Sequence, residues 1–513
     1  MSICIIDGMS LTLEDVVNVA RNNYCVKLAD HAVENIKKSR DYVENLVNEG
    51  RIVYGITTGF GKFSDVSVSK EEAKELQRNL IISHACGIGD HFALDIVRAM
   101  MLLRANALTK GFSGIRLETL ETLIEMINKD VIPAVPEKGS LGASGDLAPL
   151  SHISLTLLGE GDAYYNGVLM DSREAMNKAG IVPIELTSKE GLALINGTQA
   201  MTAVGALVTW DAINLLKLSD ISAALTMEAL NGITDAFRPE LHNVRPHTGQ
   251  VCSAKNMLEL LDGSERTSSQ GEIRVQDAYS LRCIPQVHGA SKDAINYVRN
   301  KIEIEINSVT DNPVIFADLD RAISGGNFHG QPMALAFDFL GIAISEIANI
   351  SERRIERLIN PQLSGGLPAF LAENGGLHSG FMIAQYAAAA LVSENKVLAH
   401  PASVDSIPSS ANQEDHVSMG TIAARKARDI HFNASRVLVI ELISACQAID
   451  MDKNYEGKKL GKGTEAAYNT IRAALPYIAK DEIMYRLFKK AEDIVDSNDI
   501  VKAVEKVVTL HYS

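Results

Sequence analysis

The tripeptide Ala143-Ser144-Gly145 combines the features that cyclisation of a peptide backbone requires. The glycine nitrogen has no side chain beside it to block its approach to the carbonyl of Ala143, and alanine adds little bulk at that carbonyl. Loss of the Ser144 hydroxyl as water would then leave a five-membered ring with an exocyclic methylene, an electrophile that no ordinary side chain provides. On spacing alone, a glycine-rich loop before a helix is the commoner arrangement, so both interpretations stay open here.

The residues on either side predict a loop that leads into a helix. Prolines and glycines recur between Val131 and Gly145 and break the apolar spacing that a helix requires, so this segment is predicted to be a loop. Asp146-Leu147-Ala148-Pro149 follows with an acid and a proline, which are typical of a first helical turn. The backbone N–H groups of that first turn would point towards the loop and could stabilise negative charge that develops there.

Three other patterns resemble sites of known types and are rejected on their context. The GASGD sequence around Ser144 is not the G-x-S-x-G pattern of hydrolases, because its second glycine comes one residue early. His242, His247 and Cys252 lack the paired ligand element of a closed zinc site. Gly59-Phe60-Gly61 has no acidic residue about 20 positions later and no strand–helix context for a dinucleotide. We therefore predict no metal and no external cofactor.

Helical spacing of apolar residues dominates the chain and predicts an all-α fold. Ser69 and Glu72 form an S-x-x-E capping box, which predicts a helix that runs to about His84. Asn166-Gly167 between two short apolar runs predicts a β-hairpin, the clearest β element. Further helices are predicted over residues 92–110 and 114–129, and long apolar helices over residues 187–231, 331–358, 376–400 and 415–450. The long helices predict a central helix bundle.

We divide the chain into three successive regions that are not independent domains. Residues 1–200 are predicted to form a smaller, loop-rich helical region that carries the tripeptide and the short hairpin. Residues 201–450 are predicted to form the central long-helix bundle, and residues 451–513 a small helical C-terminal region. Polar or glycine-rich loops separate the helices, and loops on a rigid scaffold often carry chemistry.

Composition and charge restrict the class of partner and the compartment. Hydrophobic residues make up 46% and charged residues 22% of the 513 positions, which is typical of folded globular proteins. The 49 basic and 64 acidic residues give a formal net charge of −15, which argues against nucleic acid and anionic membranes as partners. Widely spaced cysteines and an N-terminal apolar run that stops at Asp7 favour the cytoplasm. The apolar stretch from Met333 to Ile350 is interrupted by acids, so we interpret it as a buried helix.

The stretch GSLGASGDLAPLSH, from Gly139 to His152, resembles the signature of the aromatic amino-acid ammonia-lyases and aminomutases. In that family the Ala-Ser-Gly tripeptide cyclises autocatalytically to 4-methylideneimidazole-5-one (MIO). The resemblance thus implies that Ala143, Ser144 and Gly145 form this prosthetic group. Further blocks follow the family's order up to about residue 450: YGITTGFG from Tyr54, NLIISHACGIG from Asn79, ALINGTQA from Ala193, VQDAYSLRC from Val275, TDNP from Thr310, SGGNFHG from Ser324, ENGGLHSGFMIAQ from Glu373 and SSANQEDHVSMG from Ser409.

Within this family the chain is most similar to histidine ammonia-lyases. The resemblance implies a carbon–nitrogen lyase that eliminates ammonia from L-histidine without oxidation and yields trans-urocanate, the first step of histidine degradation. It implies that Tyr54 is the base that removes a β proton and that Arg282 binds the substrate carboxylate, which its planar guanidinium suits. Tyr279 is implied as a further catalytic residue, and the implied binding residues include Asn196, Gln276 and Phe328. Without the resemblance, these residue types are typical of loop-capping amides and packed aromatics.

Two positions favour histidine as the substrate. Ser83-His84 stands where phenylalanine-selective relatives have an apolar pair and tyrosine-selective relatives tend to have His-Leu. Glu414 stands where phenylalanine and tyrosine lyases usually have glutamine, and its carboxylate would accept a hydrogen bond from an imidazole N–H. Taken singly, His84 is typical of a helix C-terminus and Glu414 of a solvated loop. A tyrosine or phenylalanine ammonia-lyase or 2,3-aminomutase, and a catalytically silent binding homologue, remain alternatives.

The resemblance also implies an assembly, and a few positions depart from the pattern. Family members form homotetramers in which each active site is drawn from more than one subunit, so we expect the same of this chain. Thr57 stands where many histidine ammonia-lyases have asparagine, Ala278 where they have proline, and Gly330-Gln331 where Ala-Glu is common. These departures bear on the fine geometry of the site and leave the predicted reaction class unchanged.

Overall fold

The computed structural model describes residues 2–59 and 72–512. The chain forms two compact units, and each is drawn from three separate stretches of sequence. The first unit contains Met1–Trp210, Arg299–Asp338 and Pro401–Arg425, and the second contains Asp211–Val298, Phe339–His400 and Lys426–Ser513. The three regions predicted from the sequence divide the chain by position along it and not by contacts in space. That division remains a prediction.

Helices dominate the described residues, which confirms the predicted all-α class. The α-helices from α1 to α19 are, in chain order, Leu13–Asn22, Ala32–Asn48, Ala73–His84, Leu94–Thr109, Leu117–Asn128, Leu147–Leu157, Ser172–Ala179, Glu190–Ile195, Gln199–Ala229, Pro239–Asn243, Thr248–Leu260, Tyr279–Arg282, Ile284–Glu305, Gln331–Ile359, Met382–Leu398, Gly420–Met451, Lys462–Ala474, Met484–Asp496 and Asp499–Glu505. Residues of α9, α13, α14 and α16 belong to both units.

Most predicted helices are present, but several begin, end or break at other residues than predicted. The helices predicted over residues 376–400 and 415–450 begin only at Met382 and Gly420. Helix α3 ends at His84 as predicted. Its N-cap residue is Glu72, whose side chain makes no capping hydrogen bond. Ser69 of the predicted capping box lies outside the described residues. The helix predicted over residues 187–231 is interrupted, because α8 ends at Ile195 and α9 begins only at Gln199. The residues between them contribute to the site described below.

The strands of the described residues are short, and all nine lie in the first unit. Strands β1 to β9 are Ile3–Ile6, Cys25–Leu28, Ile88–His91, Val131–Pro133, Pro136–Lys138, Asp162–Tyr165, Val168–Asp171, Val314–Phe316 and Arg321–Ile323. The predicted hairpin is confirmed as β6 and β7, with Tyr165 paired with Val168. Asn166 and Gly167 between them have φ of 50° and 77°, as this hairpin turn requires.

The segment from Val131 to Gly145 is not wholly a loop, which corrects the sequence prediction. Strand β4 pairs with β6, and β5 pairs with β3, so both strands are completed by partners elsewhere in the chain. Three-residue strands of this kind leave no periodic signal in their own sequence. The part that remains a loop begins after β5 and ends where α6 starts at Leu147.

In the second unit, parts of four long helices are joined by fully buried charged groups. Asp220 on α9 lies 2.7 Å from His288 Nδ1 and 2.6 Å from Lys292 Nζ, both on α13. Arg354 on α14 forms two hydrogen bonds with Glu441 on α16. Burial alone would raise the pKa of Asp220, but Lys292 and His288 outweigh it and lower that pKa to about 2. These pairs agree with the predicted bundle of long helices.

Three helices within the described residues are long and apolar enough to cross a membrane by length and composition alone: Gln199–Ala229, Gln331–Ile359 and Gly420–Met451. Within the protein, 72%, 67% and 89% of their most apolar windows are buried. Burial against other protein elements therefore accounts for their composition, as we predicted for the stretch from Met333 to Ile350.

Candidate active site

The tripeptide predicted to cyclise lies in the first unit, in the loop between β5 and α6, and its backbone is sharply bent. Ser144 has φ of 54° and Gly145 has φ of 78°. A left-handed φ costs about 1–2 kcal/mol for a residue with a side chain, so neighbouring contacts must hold Ser144 there. A Cβ on Gly145 would lie only 2.2 Å from the carbonyl oxygen of Gly197, so this position accepts glycine alone. The loop thus combines a bent backbone at Ser144 with a position at Gly145 that only glycine can occupy.

The break between α8 and α9 holds this loop in place. Asn196 Nδ2 donates a hydrogen bond to the carbonyl oxygen of Ser144 at 2.7 Å. The backbone N–H of Asp146 donates to the carbonyl oxygen of Gly197, also at 2.7 Å. Asn196 is 2% exposed, and its Oδ1 has no hydrogen-bond partner among the described residues. A buried acceptor without a partner is costly, which suits it to receive a donor from a ligand.

Asp146 anchors the loop through a fully buried carboxylate. Helix α6 begins at Leu147 as predicted, but the Asp146 side chain does not cap that helix. Instead it accepts hydrogen bonds from the backbone N–H of Met201 at 2.8 Å, from Ser140 Oγ at 2.9 Å and from Thr421 Oγ1. Burial raises the pKa of Asp146, and these hydrogen bonds oppose that rise. From the sequence, Asp146 was predicted only to start a helix, and Thr421 was missed because no local motif marks it.

Glu414 and His84 lie beside the tripeptide. The Ser144 hydroxyl donates to Glu414 Oε1 at 2.7 Å, and Ser409 Oγ donates to Glu414 Oε2 at 2.9 Å. His84 ends α3, and its Nδ1 lies 3.0 Å from Ser83 Oγ. Burial lowers the pKa of His84, while the Leu80 carbonyl and the negative charge of Glu414 act in the opposite direction. The structure therefore brings together the two residues that we predicted to select the substrate.

A cavity of about 200 Å³ opens beside this cluster. Its wall includes Ser83, His84 and Cys86 on one side, and Ala143 and Gly145 of the tripeptide on the other. Cys86 is a free and exposed thiol. Cys86 was not predicted to be a site residue, and the only sequence signal for it is its place two residues after His84 in the NLIISHACGIG block.

The other predicted residues fall into two groups. Tyr54 lies in a turn, closed by hydrogen bonds from the backbone N–H groups of residues 56 and 57 to the Val53 carbonyl, and Phe328 lies in the loop before α14; both belong to the first unit. Gln276, Tyr279 and Arg282 belong to the second unit. There the Arg282 guanidinium lies 4.7 Å from the centre of the Tyr279 ring, and Tyr279 is 72% exposed.

Residues 2–59 and 72–512 contain no group of three or more histidine, cysteine, aspartate or glutamate side chains that could hold a metal ion. His242, which was rejected as a zinc ligand on its sequence context, contacts the Ala236 carbonyl through Nε2 at 3.0 Å and Gln250 through Nδ1 at 3.0 Å. Its ring is therefore occupied by ordinary structural contacts.

Comparison with known proteins shows to which family the chain belongs. The family model described as "Aromatic amino acid lyase" matches residues 11–473. The chain is also 66% identical over 505 residues to a histidine ammonia-lyase from Alkaliphilus oremlandii, a match that covers 98% of this chain and 99% of that protein. The chain belongs to the aromatic amino acid lyase family. Membership of this lyase family confirms the predicted enzyme class, a carbon–nitrogen lyase.

Solved structures of this lyase family share the fold. The histidine ammonia-lyase of Trypanosoma cruzi has a TM-score of 0.92 at 42% identity, and the match covers 99% of this chain and 96% of that one. The tyrosine aminomutase of Streptomyces globisporus has a TM-score of 0.95 at 39% identity, and the match covers 100% of both chains. Because relatives with different names superpose equally well, the lyase fold does not determine the substrate and the side chains of the site must do so.

Proposed function

We propose that the protein is a histidine ammonia-lyase, which converts L-histidine to trans-urocanate and ammonia. The observation that carries this proposal is the position of Glu414 and His84 beside Ser144, in a chain 66% identical to a histidine ammonia-lyase. An imidazole N–H would donate to the Glu414 carboxylate. A phenyl ring has no donor for Glu414 Oε1, which would lose its Ser144 partner on ring formation, and an unsatisfied buried acceptor costs about 1–3 kcal/mol or more for a charged group.

The residues around Ser144 fit the prosthetic group MIO, which we propose forms from Ala143, Ser144 and Gly145. A glycine is required where Gly145 meets Gly197, and the backbone bend at Ser144 is supported by the Asn196 amide. MIO supplies an electrophile that assists the departure of the substrate amine, which an enzyme with ordinary side chains lacks. This proposal requires no external cofactor, because the chain itself provides every atom of the group.

We assign the proton transfer to Tyr54. The β proton of histidine is weakly acidic, and general-base catalysis alone contributes about 10² to 10⁴-fold in rate. The base must therefore act together with an assisted leaving group. Tyr54 belongs to the same unit as Ser144, and the turn that carries it has φ of 67° at Gly55. We propose that the Tyr54 side chain, in its phenolate form, receives the β proton and becomes a phenol, while Asn196 Oδ1 accepts a hydrogen bond from the substrate amine.

We assign the substrate carboxylate to Arg282. Its guanidinium packs against the Tyr279 ring, and its Nε is buried without a hydrogen-bond partner among the described residues. A guanidinium binds a carboxylate through two parallel hydrogen bonds, so an incoming carboxylate would satisfy the unpaired Nε together with a neighbouring Nη. Tyr279 would then fix the plane of the guanidinium. We further propose that Gln276 and Phe328 contribute to the walls of the completed pocket.

We propose that the active enzyme is a homotetramer with shared active sites. Gln276 and Tyr279 are exposed in the single chain, which is expected if another subunit covers them. In the second unit an apolar cavity of about 400 Å³ lies between α13 and α14, and its wall includes the exposed residues Phe339 and Ile342. A further copy of the chain would bury such a surface.

All six cysteines are free, which supports a reducing cytoplasm as the compartment.

The proposed function is tested with the purified protein and three aromatic amino acids. We expect L-histidine to yield ammonia and the near-ultraviolet absorbance of urocanate, and we expect the intact mass to be lower than the sequence mass by two waters. The Ser144→Ala variant should keep the full mass and lose turnover while it remains folded. Turnover of histidine by that variant would contradict the assignment of the prosthetic group.

The other outcomes identify the alternatives. Exclusive turnover of tyrosine, or a β-amino acid as product, would favour a lyase or aminomutase for another substrate, a candidate supported by the similarity to the tyrosine aminomutase. A wild-type mass without the loss of two waters would favour a catalytically silent homologue.

A further inference from the structure

One arginine outside the proposed site binds the segment that holds Ser144. Arg104 lies on α4 in the first unit and is only 1% exposed. Its Nη1 donates to the carbonyl oxygen of Asn196 and to Gln199 Oε1, both at 2.9 Å. Its Nη2 donates to the carbonyl oxygen of Ala193. One guanidinium thus binds the last turn of α8, the break after it and the first residue of α9.

The same guanidinium packs directly on the backbone of the break. A Cβ added to Gly197 would lie 2.5 Å from Arg104 Nη1, so no side chain separates the arginine from that backbone. Beyond it, Gln199 Nε2 donates to Thr310 Oγ1 at 2.8 Å, which fixes the amide that Arg104 contacts. Burial lowers the pKa of Arg104 to about 10, and the negative charge of Asp311 opposes that effect. The arginine is therefore still charged at neutral pH and held on several sides.

The segment that Arg104 binds is the one that touches the tripeptide. Asn196 donates its side-chain amide to the Ser144 carbonyl, while its own carbonyl accepts from Arg104. Gly197 accepts from the backbone N–H of Asp146. A shift of the segment would therefore change the position of the Asn196 amide relative to Ser144. Positioning errors of about 1 Å can cost about 100-fold in rate.

We propose that Arg104 is a positioning residue that sets the distance between the Asn196 amide and Ser144, both for ring formation and for turnover of the amino acid. This inference rests on the proposed function. The geometry requires an arginine, because the three acceptors are reached from two nitrogens of one rigid plane. A lysine ammonium has three N–H donors on one nitrogen, but that nitrogen cannot occupy the positions of both Nη1 and Nη2, so at least one of the three acceptors would lose its partner.

The test compares Arg104→Lys with Arg98→Lys. Arg98 is a matched control, because it lies on the same helix, is 8% exposed and contacts the Ile127 carbonyl and Asp130 rather than the proposed site. For Arg104→Lys we expect fewer than about half of the chains to lose two waters, and kcat per mature subunit to fall about tenfold or more. KM should change much less than kcat. Arg98→Lys should lose a similar amount of thermal stability yet keep complete ring formation and a near-wild-type kcat.

Complete loss of two waters together with a wild-type kcat in Arg104→Lys would overturn the inference. Equal losses of kcat in both variants would also overturn it, because they would show a general effect of disturbing α4. A wild-type chain that shows neither the two-water loss nor histidine turnover would instead contradict the proposed function itself.

A second variant decides the question if Arg104→Lys fails to fold. Gln199→Met keeps the arginine and the approximate side-chain volume but removes one acceptor of its guanidinium, together with the donor to Thr310 Oγ1. We expect a folded protein in which kcat per mature subunit falls about threefold or more, because one of three contacts is lost. A wild-type kcat with complete ring formation in this variant would contradict the proposed role of the arginine.

Discussion

Replacement of Glu414 by glutamine removes one negative charge from the proposed site and preserves the size of the side chain. Glu414 Oε1 accepts a hydrogen bond from Ser144 at 2.7 Å, and Oε2 accepts one from Ser409 at 2.9 Å. Ser409 and Glu414 are also joined by backbone hydrogen bonds of 3.0 and 3.3 Å, which do not depend on the side chain. We therefore expect Glu414→Gln to keep the loop folded and to lose only the charged acceptor that faces the substrate imidazole.

The magnitude follows from the loss of one hydrogen bond to a charged group. Such a bond contributes about 1.5–3 kcal/mol, and about 1.4 kcal/mol corresponds to a factor of ten in rate. The kcat/KM for L-histidine should therefore fall about 10- to 150-fold. The pKa of His84 should also fall further, because the negative charge of Glu414 no longer opposes the effect of burial. Any limb of the pH–rate profile that reports His84 would move to lower pH.

The assay follows urocanate formation by its near-ultraviolet absorbance and compares L-histidine with L-phenylalanine. Asp415→Asn is the matched control, because it removes the same charge from the adjacent, exposed residue. We expect Asp415→Asn to keep the wild-type kcat/KM. Unchanged histidine kinetics in Glu414→Gln would place Glu414 in a solvated loop without a role in recognition. An equal loss in Asp415→Asn would attribute the effect to the overall field of the loop.

Three further substitutions test the loop and the second unit. Gly145→Ala places a Cβ 2.2 Å from the Gly197 carbonyl oxygen. We therefore expect this variant to show neither the two-water mass loss nor histidine turnover. A mature ring in the variant would contradict the close approach of Gly145 to Gly197. Asp220 has its pKa lowered from 3.8 to about 2, so it contributes about 2 kcal/mol of stability that is present above pH 4 and lost as the pH falls towards 2. Thermal melts from pH 6 to pH 2 should show the difference between Asp220→Asn and wild type narrowing over that interval. Arg354→Met leaves Glu441 buried without its counter-charge, which should lower the free energy of unfolding by about 3–5 kcal/mol. The two-water mass loss should persist in this variant. A melting temperature equal to that of the wild type would show that the pair is not essential to stability.

Local features of the sequence predicted local elements. The Asn166-Gly167 turn predicted its hairpin, because both residues tolerate the left-handed backbone that the turn requires. Apolar spacing predicted α4 as residues 92–110, where the helix spans Leu94–Thr109. The strands β4 and β5 were missed because each has three residues and is stabilised by a partner distant in sequence. Their formation depends on tertiary pairing, which periodicity within a segment does not record.

In the proposed site, too, neighbouring residues could be predicted from the sequence, whereas contacts between distant parts of the chain could not. Residue types and spacing indicated that Ala143, Ser144 and Gly145 could cyclise, but only the resemblance to a lyase family associated Glu414 with them. The two residues joined by the Ser144–Glu414 hydrogen bond are 270 positions apart in the chain. Arg104 had no motif of its own, because its contacts are mostly to backbone carbonyls, which place little demand on the sequence around them.

These contacts also bear on when the ring can form. The left-handed backbone at Ser144 is unfavourable in isolation, and it is held by Asn196 and Gly197 from a separate stretch of the first unit. An unfolded chain would seldom bring these stretches together, because closing so long a loop costs conformational entropy. The bent backbone is therefore a product of folding, and the proposed cyclisation would follow the packing of the loop against the break between α8 and α9. In this order, the proposed reactive methylene would not be exposed in the unfolded chain.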